Sequence, residues 1–107
     1  KLKALGIAGE KRSSVLPNVP TLKEQGIPNM NVTQWYALFA PAKTPKPIID
    51  RLNKELNLTL NDKANEKKIE DQGAEVETGT PAQLKSLVQK EVVRWKKLVD
   101  SAKITAD

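Results

Sequence analysis

A chain of 107 residues with 38% hydrophobic and 29% charged side chains has the make-up of a folded globular segment, either one small domain or part of a larger one. The absence of cysteine and histidine excludes disulfide scaffolds, thiolate chemistry, zinc fingers and any histidine-based metal or acid–base site. The net charge of +5 is unevenly spread, basic over residues 1–12, acidic over 62–77 and basic again toward the C-terminus, which argues against a continuous nucleic-acid face.

Taken in chain order, Leu2, Ala4, Leu5, Ile7 and Ala8 form a short apolar run between charged flanks, the pattern of a mostly buried strand ending at Gly9-Glu10-Lys11-Arg12. No leader-like segment opens the chain, and the expectation is an excised piece of a longer protein. Pro17-Asn18-Val19-Pro20 predicts an extended loop, because each proline disfavours helix in the residue before it. Thr21 and Glu24 have the reciprocal spacing of a capping box, and Gly26 supplies a left-handed stop, so the helix between them is about one turn long. Val32 to Ala40, rich in β-branched and aromatic residues, predicts a second strand closed by Pro41.

Thr44-Pro45 predicts a capped helix start, and Ile48, Ile49, Leu52, Leu56 and Leu60 recur on one face behind it. Asn61-Asp62 breaks this helix and caps a second, polar one that ends at Gly73. Ala74 to Thr78, alternating Ala/Val with Glu, predicts a third short strand. Thr80-Pro81-Ala82-Gln83 is a second capping box and starts the longest helix, whose apolar stripe runs Leu84, Leu87, Val88, Val92, Trp95 and onward to Ala102. The order β-α-β-α-α-β-α argues for an α/β architecture.

No catalytic constellation emerges. The serines have no histidine beside them, and Ser86 with Lys90, although on one helical face, has the setting of a solvated surface. Glu75 and Glu77 project from one strand face as an exposed edge does, and the isolated glycines make no phosphate cradle. The chain is read as non-enzymatic, with no cofactor and no metal. Lysines and Arg94 on the last helix could meet phosphates, but Trp95 lies on the apolar stripe instead of among them, so no nucleic acid is expected as the partner. A small basic nucleic-acid-binding or protein-interaction domain is the alternative. Trp35-Tyr36 is the pair of most interest, since adjacent strand residues face opposite ways and one ring can reach a cleft.

Three stretches carry a resemblance: Lys1 to Ala8 with Lys11-Arg12-Ser13, Leu16 to Thr21 with Glu24, Gly26 and Pro28, and Trp35 to Pro41 with Thr44-Pro45 and Arg51-Leu52-Asn53. In this order they resemble the C-terminal third of the Bordetella-uptake-gene (Bug) type substrate receptors of tripartite tricarboxylate transporters. Gly73-Ala74-Glu75, Thr80-Pro81 and Trp95 also match that family's ending. The departures are Asn18 in place of Asp, Ala37 in place of Gly, and Ala8-Gly9-Glu10 where the family commonly has Thr or Ser.

The resemblance implies part of a type II periplasmic binding protein-like, Venus-flytrap fold that holds a small carboxylate (dicarboxylate, tricarboxylate or amino acid) between two lobes for a membrane permease. It further implies a periplasmic location. Residues 1–30 would end one lobe, and 31–107 would supply the hinge strand and the C-terminal portion of the other; the alternative is one small α/β domain over 1–107. The expected ligand contacts are Ala8, Gly9 and Glu10 at the first strand's exit and Thr33, Trp35 and Tyr36 on the hinge strand. A chain of this composition standing alone is expected either to dimerise by exchanging elements or to leave apolar surface exposed.

Overall fold

The helices follow their caps. In the computed structural model, which describes residues 1–105, α1 spans Lys46–Leu60, α2 Lys63–Glu70 and α3 Pro81–Ala102. Positions 106–107 of the expected second lobe lie outside that range. At the start of α3 the Thr80 hydroxyl accepts from the Gln83 N–H at 3.2 Å, while Gln83 Oε1 accepts from the Thr80 N–H at 2.8 Å, with Pro81 in the first turn. Asp62 caps α2 by accepting from the backbone N–H groups of Ala64 and Asn65. Behind α2, Gly73 takes a φ of +79°, and its N–H and that of Ala74 close the helix on Glu70 and Ile69.

The start of α1 differs from the expectation. Pro45 is its N-cap, with no side-chain cap; the Thr44 hydroxyl instead donates to the Pro41 carbonyl at 2.8 Å. Proline fixes the entry dihedral, so Thr44 is drawn back into the preceding turn, and the first-turn N–H groups of Ile48 and Ile49 share the Pro45 carbonyl.

The three expected strands are not formed as strands among the described residues, which changes the observed order to three helices with extended connections. What exists is a single parallel bridge between Ile7 and Thr21. The Ile7 N–H donates to Pro20 and the Leu22 N–H to Ile7, while on the other side the Val32 N–H donates to Ala8 at 2.9 Å. The first apolar run is therefore flanked on both edges at Ile7 and Ala8 but has no ladder toward Leu2. Among the described residues, the backbone of Val32 to Ala40 is paired only at its first residue. A ladder requires successive partner groups on a neighbouring chain, and β-propensity cannot replace them.

The segment Thr21–Gln25 forms the expected single turn: the Thr21 N–H donates to Glu24 Oε2 at 2.8 Å, the Glu24 N–H donates to Thr21 Oγ1 at 3.1 Å, and Gly26 has a φ of +82°. Thr21, at 3% exposure, is the buried residue at the centre of this knot.

The helices leave their apolar faces open. Ile48 and Leu52 on α1, and Leu87, Val92, Trp95, Leu98 and Val99 on α3, are all exposed. The radius of gyration is 17.1 Å, against about 13 Å for a compact domain of this length. Among the described residues no helix is long and apolar enough to cross a membrane.

Candidate ligand-binding site

The bond from Val32 to Ala8 brings the first extended segment alongside the start of the second, Val32 to Ala40, and part of the expected site gathers there. Glu10 Oε1 accepts from Asn31 Nδ2 at 3.2 Å, and Glu10 Oε2 lies 3.7 Å from Lys23 Nζ. Asn31 is a junction: its side-chain oxygen accepts from the Thr33 hydroxyl at 2.7 Å, and its backbone carbonyl accepts from the Arg94 guanidinium of α3. Gly9 lies close to Thr33, since a Cβ on Gly9 would stand 3.8 Å from Thr33 Oγ1.

These groups border a recess of about 110 Å³ whose wall includes Gly9, Glu10, Lys23, Ile27, Met30 and Asn31. Its far side is shaped by the turn at Pro28-Asn29, where Asn29 adopts a φ of +63°. The structure therefore gathers Gly9 and Glu10, with Thr33 behind Asn31. Ala8 contributes its carbonyl to the segment pairing. Trp35 and Tyr36 do not border the recess; they lie at 38% and 84% exposure along the unpaired stretch.

Lys23, Ile27 and Met30 were not among the residues expected from the sequence. The local signal nearest to them is the left-handed stop at Gly26 with Pro28 two residues on, after which the chain turns back beside Glu10. Asn31 was expected as the start of a hinge, without a role for its side chain.

Next to the recess, Arg12 clasps the loop. Its Nε donates to both Glu24 carboxylate oxygens, at 3.2 and 2.9 Å, and a terminal guanidinium nitrogen donates to the Pro17 carbonyl at 3.2 Å. The Arg12 hydrogen bond, assisted by the Thr21 N–H, holds the Glu24 carboxyl below its ordinary range. Arg12 is thus engaged in structure, and Glu10 and Lys23 are the charged groups that face the recess.

Two basic residues of α3, Arg94 and Lys96, are similarly engaged. Lys96 pairs with Asp100 and Arg94 with Glu91, Arg94 lies over the Trp95 ring, and the indole N–H donates to Glu91 at 2.9 Å. Among the described residues no group of three or more acidic, His or Cys side chains stands together to hold a metal ion.

The sequence matches the TctC family, described as Tripartite tricarboxylate transporter family receptor, over residues 1–104. It is 37% identical to Protein BugT of Bordetella pertussis over 94 residues, 88% of this chain and 29% of that protein. It is 32% identical to a UPF0065 protein from the tcbD-tcbE intergenic region of Pseudomonas sp. over 108 aligned residues, 100% of this chain and 32% of that one. A solved R. palustris protein with adipate superposes with a TM-score of 0.81 at 31% identity, covering 94% of this chain and 34% of that chain. The chain thus shares the fold of part of that protein and spans about a third of the length of the relatives it matches.

Proposed function

This chain belongs to the tripartite tricarboxylate transporter receptor family, and from that membership we propose that it forms part of an extracytoplasmic receptor that captures a small carboxylate and passes it to a membrane permease. The family is one of receptors, so the chain works by binding and not by catalysis. The observation that carries the reading is that the receptor signature runs through the chain from residue 1 to residue 104. The adipate in the R. palustris structure supports a carboxylate as the cargo.

In this reading residues 1–30 complete one lobe and 31–107 provide the hinge and the other lobe, with the recess at their junction. The Arg94 bond to Asn31 then ties α3 to the first residue of the hinge. The recess borders Gly9 and Glu10, and Thr33 reaches it through its bond to the Asn31 side chain, which lines it. Ala8 fixes the pairing that forms it, and Trp35 and Tyr36 are proposed as contacts from the facing side of the cleft.

The test is calorimetric titration of the protein as its gene encodes it with adipate, citrate and 2-aminoadipate, one acid from each class. At least one is expected to bind, and the 107-residue chain alone is expected to bind the same acid far more weakly. Failure of all three acids to bind the encoded protein removes the reading.

A further inference from the structure

Resting on the receptor reading, we infer that the recess receives the head group of an α-amino acid, its ammonium on the Glu10 carboxylate and its carboxylate on Lys23. The rim carries one charge of each sign. Glu10 and Lys23 stand 3.7 Å apart with both side chains well exposed, a loose pair that a ligand can open at little cost. A dicarboxylate gains from Lys23 but meets like charge at Glu10. A zwitterionic head group carries both signs on one carbon and can satisfy the two groups together, and neither charge is left facing its own sign.

Glu10 is also held in place. Asn31 donates to its Oε1, Thr33 donates to Asn31, and Arg94 holds the Asn31 backbone, so Oε2 remains directed to the side where Lys23 lies. Pre-set acceptors of this kind lose little entropy on meeting an ammonium. The recess, about 110 Å³, has room for a head group of one ammonium and one carboxylate. The remainder of the ligand extends out of the recess past Ile27 and Met30.

Adipate and L-2-aminoadipate share a carbon skeleton and differ by the α-ammonium, so their affinities isolate the contribution of that group. Calorimetry on the protein as its gene encodes it is expected to find 2-aminoadipate at least about tenfold tighter, the scale of a hydrogen bond between charged groups. Glu10→Gln keeps the size and the bond to Asn31. It is expected to weaken 2-aminoadipate and strengthen adipate, bringing the two to within about twofold. An effect that was merely structural would move both acids in the same direction, and a circular dichroism spectrum checks the fold of the variant. Adipate binding as tightly as 2-aminoadipate, or a preference unchanged in Glu10→Gln, overturns the inference and leaves the receptor reading standing. Absence of binding by adipate, citrate and 2-aminoadipate alike overturns both.

Discussion

Asn57 grips Gly79 with both ends of its side-chain amide: Nδ2 donates to the Gly79 carbonyl at 2.9 Å, and Oδ1 receives the Gly79 N–H in a longer contact of 3.4 Å. Asn53, one turn earlier on α1, donates to the same carbonyl at 2.9 Å and accepts weakly from Asn57. This pair anchors the backbone immediately before the Thr80 cap, so α1 sets where α3 begins. Asn57→Ala removes one donor and one acceptor from a partly buried site and is expected to cost about 1–2 kcal/mol. Asn57→Asp, which keeps only acceptors, is expected to cost at least as much. Urea unfolding followed by circular dichroism distinguishes these outcomes from a neutral substitution.

Gly79 is required by its neighbour. A Cβ there would stand 2.9 Å from Gln83 Oε1, the same oxygen that accepts from the Thr80 N–H. Gln83 is flexible enough to move, but moving it opens the capping box. Gly79→Ala is therefore expected to lose about 1 kcal/mol, the worth of a helix cap, and Thr80→Ala a similar amount. Because both act on one motif, the double variant should cost clearly less than the sum, which a double-mutant cycle measures.

Caps and stops were legible in the sequence because their determinants lie within four residues of one another. Thr21 with Glu24, Asp62, Gly73 and Thr80 with Gln83 all occur where local spacing put them. The strand-like stretches were not realised as strands, since a ladder depends on groups far away along the chain: Val32 finds Ala8, but the residues after it find no such partner among the described backbone bonds. Thr44 was misplaced by one interaction, its hydroxyl turning to Pro41. At the candidate site Glu10 was legible as a departure from the family pattern, whereas Lys23 and the Asn31 junction depend on a reversal at Pro28-Asn29 whose direction spacing alone does not set. Asn53 and Asn57 are an i,i+4 pair, and their common partner 22 residues after Asn57 has no local signature.

The Glu24 carboxyl, held low mainly by its bond to Arg12 and then by the Thr21 N–H, makes this knot sensitive to acid. Its folded-state value lies below that of the unfolded chain, so below the ordinary carboxylate range the unfolded state takes up the proton more readily. The contribution is fully present above the unfolded value and is lost as pH falls through the folded one. Glu24→Gln is expected to flatten the dependence of the unfolding midpoint on pH through this acidic window, with little change near neutrality in its slope. Carbon-detected titration of the Glu24 carboxyl, expected to lie below the ordinary glutamate range, supplies an independent check.

Arg94 joins α3 to Asn31 across 63 residues of chain, and it does so at the protein surface. Exposed links of this kind carry less than about 1 kcal/mol, so Arg94→Met should barely shift global stability. Its effect is expected in local opening: without the guanidinium, the amide of Val32, which bonds to Ala8, should exchange with solvent several-fold faster. Arg94→Lys should behave like the Met variant, because a single ammonium does not reproduce the fork that serves Asn31 and Glu91 together. Hydrogen exchange read at residues 31–33 provides the measurement.

The apolar stripe of α3 yields the prediction that bears most directly on the receptor reading. Val92 and Leu98 are 61% and 49% exposed, and an apolar side chain already in contact with water loses little when made polar. Val92→Gln and Leu98→Gln are therefore expected to change the stability of the 107-residue chain by less than about 0.5 kcal/mol each. If the stripe is covered in the protein as its gene encodes it, the same substitutions bury an amide without a partner, and each should cost more than about 2 kcal/mol there. Thermal unfolding of both forms reads the contrast directly. Equal and small costs in the two would mean that α3 stays open to solvent, and a lobe built around that stripe would then have to be abandoned.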